Sequence, residues 1–218
     1  MTVGCCSTEA LELKFGPKVA AAELHRYRRR GPRRTTRLLL EGLRDHLPAG
    51  ASLLDIGGGI GALHHELLAG GVARAWAVER SAAFLEADET ESRRRGHAER
   101  VEFIHNDIRA AAGTLPSADI VTLDRVVCCD PGYEQLLRLS LGKARRLFAY
   151  SYPRDRLAVR AAIAMQNMLW RLRRLSFQVY VHSPEQMAAL IRATGFRAVS
   201  QARTPVWQVD VYAREPAD

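Results

Sequence analysis

Leu53-Leu54-Asp55-Ile56-Gly57-Gly58-Gly59-Ile60-Gly61 is an apolar run that breaks into glycines directly after a carboxylate. It reads as a strand, a tight loop and the start of a helix whose pattern continues from Ala62. Gly57, Gly59 and Gly61 permit positive φ, and Gly58 between them adds no side chain. The loop backbone is therefore free to lie against a ligand that a Cβ would push away.

Two cofactors compete for such a loop, because Gly57-x-Gly59-x-x-Ala62 also satisfies the dinucleotide fingerprint. Asp55 separates them. A carboxylate at the strand tip repels a pyrophosphate, at a cost of about 1 kcal/mol or more at contact distance. It attracts S-adenosylmethionine (SAM), which carries an ammonium and a sulfonium and no phosphate. With its acidic residue followed by alternating glycines, the segment Asp55 to Gly61 resembles the first motif of the class I SAM-dependent methyltransferases.

Working outward, strand and helix signals alternate, which argues for a parallel sheet with crossover helices. Strands are expected at Ser52–Ile56, Ala73–Val78, Val101–His105, Ile120–Leu123 and Arg146–Tyr150. Helices are expected at Ala62–Ala69, Ala82–Arg94, Tyr133–Leu141, Asp155–Leu175 and Pro184–Thr194. Arg197–Ala202 and Trp207–Ala213 then form two strands whose short link, around Thr204-Pro205, permits an antiparallel hairpin but no crossover helix. Upstream, Lys14–Arg30 and Arg33–His46 read as helices broken at Gly31-Pro32. The expected architecture is α/β: a Rossmann-like, doubly wound mixed sheet of seven strands, the last antiparallel, with N-terminal helices. We divide it into a helical extension or lid at 1–50 and a SAM-binding methyltransferase domain at 51–218, within one structural domain. The resemblance covers about Arg37 to Ala213, and the antiparallel last strand belongs to the architecture it implies.

In an open α/β sheet the ligand lies across the carboxyl ends of the strands. Glu79 ends the second strand, where an acidic group can accept from both ribose hydroxyls, and the resemblance makes it the ribose carboxylate. Asn106 and Asp107 follow the third strand; the resemblance places Asp107 at the adenine amino group, although Asp is also a preferred helix N-cap. Arg80 neighbours the ribose contact and Ile108 the adenine.

Beyond the fourth strand comes Leu123-Asp124-Arg125-Val126-Val127-Cys128-Cys129-Asp130-Pro131, which the resemblance turns toward the methyl group. Asp124 joins the cofactor set. Arg125 is the fixed cation of this edge, its planar fork suited to a carboxylate or phenolate, with a salt bridge to Asp124 or Asp130 as the plainer reading. The segment has neither the Asn-Pro-Pro-Tyr type signature nor the Pro-Cys dipeptide of nucleic-acid methyltransferases. Tyr133 and Tyr152 join Arg125 as candidate catalytic groups; Tyr150, His105 and His182 are further titratable side chains that spacing does not single out. Together with Ser151-Tyr152-Pro153-Arg154, the run from Asp124 to Pro131 is similar to small bacterial methyltransferases distantly related in pattern to the magnesium-protoporphyrin O-methyltransferases. That similarity implies an acceptor bearing a carboxylate or hydroxyl.

A chain of 218 residues with 47% hydrophobic and 26% charged content suits one packed domain. No apolar run approaches a membrane span and the first residues lack a signal-peptide pattern, so a cytoplasmic protein without integral membrane association is expected. Cys5-Cys6 and Cys128-Cys129 are adjacent pairs, the spacing neither of a disulfide framework nor of a zinc knuckle, and no metal site is expected. The net charge of +8 comes largely from arginine clusters at Arg26 to Arg37, Arg93 to Arg95 and Arg171 to Arg174. Aromatic residues hardly interleave them, which disfavours a nucleic-acid partner and favours solvated helix faces. In the long helix, Leu157, Ala161, Ala164, Met168, Leu172 and Leu175 form a stripe expected to pack in the core.

The expected function is methyl transfer from SAM, giving S-adenosylhomocysteine (SAH), to an oxygen of a small, anionic molecule. The alternatives are an RNA methyltransferase using the arginine-rich N-terminus, a SAM-binding protein without turnover, and thiol or metalloid methyl transfer involving the cysteine pairs. The sequence does not specify an oligomeric state.

Overall fold

The computed structural model describes residues 14–173, 175 and 177–215. Cys5, Cys6 and Arg174 lie outside these residues. The chain runs α1 (Pro17–Arg30), α2 (Arg34–Arg44), β1 (Ser52–Ile56), α3 (Ala62–Ala69), β2 (Arg74–Glu79), α4 (Ala82–Arg95) and β3 (Val101–His105). It continues through α5 (Ile108–Ala111), β4 (Ala118–Leu123), α6 (Tyr133–Lys143), β5 (Ala144–Pro153), α7 (Leu157–Leu172), α8 (Pro184–Arg192), β6 (Phe196–Arg203) and β7 (Trp207–Arg214). The strands form one seven-stranded sheet in the order β3-β2-β1-β4-β5-β7-β6, in which β7 runs antiparallel to both neighbours. This is the doubly wound mixed sheet expected from the sequence. Its order reverses between β1 and β4, the switch point at whose carboxyl ends open α/β sheets hold their ligands.

Alternation along the strands supplies two cores. Leu54, Ile56, Val121, Leu123, Phe148 and Tyr150 face Leu136, Leu137, Met187 and Ile191 on one side of the sheet. Leu53, Ala75, Ala77, Ile120, Leu147 and Val211 face Leu38, Leu39, Leu43, Leu63 and Leu67 on the other. Because Asp55 shares the parity of Leu53, its side chain falls on the α3 side. Helix α2 is held by Leu38, Leu39 and Leu43, each buried, an apolar contribution of about 5–9 kcal/mol at 1.5–3 kcal/mol per leucine. Helix α1 offers less: Ala20, Leu24 and Tyr27 pack on Ile60 of the glycine loop and Phe84 of α4.

Polar contacts supplement that smaller face. The Tyr27 hydroxyl donates to Glu66 Oε1 at 2.6 Å, and Arg28 Nε donates to the fully buried Glu91 at 2.8 Å. Arg94 and Arg95 also close on Glu91, at 2.5 and 2.8 Å. Part of the arginine cluster is thus spent on intramolecular pairs, Arg26 and Arg33 with Glu23 included, while Arg29, Arg30, Arg34 and Arg37 remain exposed.

Leu157, Met168 and Leu172, placed in the core by periodicity, are 87%, 49% and 74% exposed, and Ala161 and Ala164 are exposed beside them. The inward side of α7 is instead Val159, Ile163, Asn167 and Trp170. Asn167 is fixed there by two bonds to the Val179 backbone, at 2.8 and 3.0 Å. The helix carries apolar residues on more than one face, so spacing defines a stripe without choosing which stripe turns inward. It also ends at Leu172 instead of Leu175.

Burial works against the Glu91 charge, but the hydrogen bonds from Arg94, Arg95 and Arg28 outweigh it and hold the carboxyl far below its ordinary value. A depressed folded-state pKa contributes stability above the unfolded value, about 4.3, that is lost as pH falls toward the folded one. Glu91→Gln is expected to cost about 1–3 kcal/mol in urea unfolding. It should also flatten the loss of stability below pH 4 and expose the arginines of α1 to trypsin; an unchanged acid limb would refute the clamp.

Candidate functional site

The glycine loop keeps the left-handed geometry its sequence calls for, with φ of 65° at Gly57, 61° at Gly59 and 75° at Gly61. Gly61 caps α3 in that conformation. Beneath the loop lies a buried polar chain. Asp55 pairs across the sheet with Thr122, whose hydroxyl donates to Asp55 Oδ1 at 2.7 Å. Asp55 Oδ2 lies 3.0 Å from His64 Nδ1, and His64 Nε2 lies 3.0 Å from Asp88 Oδ1. Burial alone would discharge His64. The charge of Asp88 and the hydrogen bonds of both carboxylates outweigh it and push its pKa up to about 10.

Asp55 therefore supports the loop from below. Its carboxylate, 1% exposed, is engaged by Thr122 and His64. Motif spacing does not single out His64 and His65, but two imidazoles in a short apolar helix carry a signal of their own, since they need buried partners.

Glu79 closes the loop from the side. Its carboxylate accepts from Gly59 N at 3.0 Å and Ser81 N at 2.8 Å. Burial raises its pKa, against the hydrogen bonds of those amides. The Ser81 hydroxyl donates to Phe15 O at 2.7 Å, bringing the start of the described chain over this strand end. Phe15 stands edge-on to Phe84 and Phe177, at 5.7 and 5.5 Å, and Phe177 to Trp170 of α7 at 5.4 Å. An aromatic row thereby links the loop rim to α7.

At the end of β3, Asp107 caps α5 by accepting from Arg109 N at 2.8 Å, and Arg80 Nε lies 3.4 Å from its other oxygen. The side chain of Asn106 accepts from Asp107 N, and Ile108 is turned into the core.

At the end of β4, Asp124 accepts from Thr36 of α2 at 2.5 Å and from Ser151 of β5 at 2.6 Å. Arg125 follows with φ of 61°, the single non-glycine residue in the left-handed region among those described. Its amide donates to Ser151 Oγ at 2.8 Å, and its Nε stands 3.8 Å from Asp124 Oδ1. Asp130 is taken by Arg109. Backbone strain of this kind costs of order 1–3 kcal/mol and gathers where function demands a particular presentation. Val126 then leans over Gly57, where a Cβ would stand 2.6 Å from its Cγ2.

Tyr133 and Tyr152 are placed differently. Tyr152 lies on the opposite face of β5 from Ser151, 4% exposed, and its hydroxyl donates to Asp210 at 2.8 Å. Desolvation drives its pKa far above the ordinary phenol value. The Tyr133 ring lies 4.2 Å from that of His182, tilted by 35°, and its hydroxyl donates to Gln186 at 3.1 Å, on the α6 and α8 flank. Tyr150 is fully buried. Cys128 and Cys129 have their sulfurs 3.6 Å apart, both directed at Arg125 O.

No protein-family model and no curated protein sequence matches the chain. Solved structures do. The magnesium protoporphyrin IX methyltransferase of Synechocystis PCC 6803, crystallised with SAH, superposes with a TM-score of 0.68 at 14% identity, over 83% of this chain and 82% of that one. An O-methyltransferase family protein from Burkholderia thailandensis gives 0.72 at 14% identity, over 95% and 64%. The 4+2 cyclase SpnF gives 0.61 at 15% identity, over 83% and 80%. The chain has the fold of the class I SAM-dependent methyltransferases, and the cyclase among these neighbours shows that the fold carries more than one chemistry.

Packing separates the glycines. A Cβ at Gly61 would collide with Asp88 Oδ1 and stand 2.6 Å from His64 Nε2, whereas one at Gly59 meets Phe84 no closer than 3.5 Å. Gly59→Ala is expected to cost about 1–2 kcal/mol, the left-handed penalty alone. Gly61→Ala should cost more than about 3 kcal/mol, since the atoms it strikes are buried and mutually held. Urea unfolding of the two variants measures the difference, and equal costs would refute the buried chain as support of the loop.

Proposed function

We propose that the protein is an enzyme that transfers a methyl group from SAM to an oxygen of a small anionic molecule. The observation that carries this reading is the presentation of Arg125 on a strained turn at the carboxyl end of β4, beside the glycine loop. A cation held there at a conformational cost is suited to orienting an anion at the switch point of the sheet.

The residues fit the proposed cofactor. Glu79 anchors the loop through one hydrogen bond at each oxygen, and a carboxylate has further lone pairs with which to accept from ribose hydroxyls. The left-handed glycines let the loop turn tightly over its buried support, with no side chain from Gly57 to Gly59 to obstruct the backbone. Among the described residues one oxygen of Asp107 is shared with Arg80 alone, and we assign that group to the adenine edge, with Asn106 and Ile108 beside it. Asp124, tied to Thr36 and Ser151, positions Arg125 and the loop more than it offers a free charge.

SAM, when bound, supplies an already activated methyl group, so the protein's part is proximity and in-line orientation. An acceptor that is a carboxylate or phenolate needs no base, which agrees with a cleft edge whose tyrosines are occupied elsewhere. We place the acceptor contact on Arg125, since the hydroxyls of Tyr133 and Tyr152 are engaged by Gln186 and Asp210. The aromatic row from Phe84 to Trp170 is the wall that would keep water from the transfer. We assign residues 14–44 to walling the crevice from the α1 and α2 side.

Titration calorimetry is expected to show binding of SAM and SAH and none of NAD; binding of NAD alone would end the proposal. Glu79→Gln should weaken SAM binding by roughly tenfold to a hundredfold, the worth of a charged hydrogen bond.

Arg125→Gly separates function from fold. It is expected to leave stability unchanged or raise it by up to about 1 kcal/mol by removing the left-handed penalty. It should lower kcat/KM for a carboxylate acceptor by roughly tenfold or more. Tight SAM binding without SAH release across a panel of carboxylates and phenols would instead favour the binding protein without turnover.

A further inference from the structure

Outside the cleft, under the glycine loop, lies a cluster that the proposed reaction does not use. His64 and His65 of α3 and Asp88 of α4 bring one imidazole nitrogen each and a carboxylate oxygen within 4.8 Å of one another, all but sealed from solvent. We propose that these three residues bind one divalent transition-metal ion of the zinc type, which fastens the glycine loop to α4.

The geometry suits such an ion. Asp88 Oδ1 lies 3.0 Å from both His64 Nε2 and His65 Nε2. Ligands at about 2.0–2.1 Å from a tetrahedral ion stand about 3.3 Å apart, so each imidazole nitrogen has to move from Asp88 Oδ1 by only a few tenths of an ångström, while the two imidazole nitrogens, within 4.8 Å of one another, draw together as the rings turn about the ion. His65 Nε2, though at contact distance from Asp88 Oδ1, makes no directed hydrogen bond to it, and Asp88 Oδ2 has no partner among the described residues. Two buried polar atoms of this cluster, His65 Nε2 and Asp88 Oδ2, are thus left without a hydrogen-bond partner among the described residues. An ion among the three side chains would satisfy His65 Nε2 and the Asp88 carboxylate together with His64 Nε2, and a water would complete the set.

The surroundings are those of a metal site as well. Asp55 Oδ2 holds His64 Nδ1 at 3.0 Å, and His97 Nδ1 lies 3.3 Å from His65 Nδ1. Each ring is thereby oriented with Nε2 toward the cluster, the arrangement in which a second partner fixes a metal-bound imidazole. Charge balances too, because a divalent ion with two neutral imidazoles offsets the carboxylates of Asp55 and Asp88. Two imidazoles and one carboxylate, with no thiolate, favour Zn2+, Co2+ or Ni2+ over Mg2+ or Ca2+. The closed surroundings make the site structural, filled as the chain folds. On binding, the ion displaces the proton between His64 and Asp88, which leaves to solvent.

The test uses the full chain without an affinity tag, refolded with chelator alone or with Zn2+ or Co2+. We expect one equivalent of metal per chain by mass spectrometry of the metal, a Tm several degrees above the chelator-treated protein, and visible bands of tetrahedral cobalt without a thiolate charge-transfer band. His65→Gln, which keeps the Asp55, His64 and Asp88 chain intact, should weaken Co2+ binding at least tenfold and abolish the metal-dependent rise in Tm. Wild-type protein that holds no stoichiometric metal and melts at the same temperature with and without Zn2+ overturns the proposal. Equal binding by His65→Gln, or a cobalt–thiolate band pointing to Cys128 and Cys129, overturns it too. The wild-type arm decides the matter even if the variant does not fold.

Discussion

The glycine loop and the strand ends around it depend on one buried carboxylate. Asp55 sits between β1 and β4, accepts from Thr122 across the sheet, and holds His64 of α3 on its other oxygen. A lone buried charge of this kind is prohibitive, and it persists because each oxygen has a partner. The pairing does structural work that the loop's glycines cannot do for themselves. Three left-handed residues in five lack intrinsic preference for one path, and the Asp55, His64 and Asp88 chain supplies the surface on which that path is laid. Gly61 has to be glycine chiefly because of what lies under it, and Gly59 because of its own φ.

A second constraint acts at the neighbouring strand end. Asp124 ties α2, β4 and β5 together through Thr36 and Ser151, and Ser151 also receives the amide of Arg125. Three elements distant in sequence thereby fix one turn, and the turn holds an arginine in a conformation that a free chain avoids. With its Nε aligned near Asp124 and its side chain 39% exposed, the guanidinium is oriented on one side and open on the other. Such an arrangement is expected of a group that meets a charged ligand, and it is costly to maintain for a solvated surface residue.

The elements with strong local signals were legible in the sequence. β1, α3 and β3 fall at the residues their patterns predict, and the antiparallel β7 follows from a link too short for a crossover. The strand ends that carry Glu79, Asp107 and Asp124 were legible too, since topology alone brings them to one edge. What was not legible is which way an amphipathic element turns and what a polar residue meets. Helix α7 shows the first: its apolar residues outnumber one face, and Asn167, bonding the Val179 backbone, decides the orientation. Tyr152 shows the second. Its neighbour Ser151 faces Asp124, so strand parity commits the tyrosine to the core, but only once the partner of Ser151 is known. Thr36 gave no signal at all, because its partner lies 88 residues away.

These two kinds of information divide along the reaction as proposed. The donor end is built from a contiguous motif and from residues at strand termini, positions that backbone geometry dictates, and so it can be read from a chain met for the first time. The acceptor end is built from Arg125, from an aromatic row contributed by Phe15, Phe84, Phe177 and Trp170, and from the orientation of α7. Apart from Trp170 and Phe177, these neighbours are distant in sequence, and packing brings them together. A fold shared with a porphyrin methyltransferase and with a cyclase can hold the same donor edge while its acceptor wall is rebuilt from such pieces. The chemistry of the acceptor must then be argued from charge and strain at the wall itself, where Arg125 is the residue that carries both.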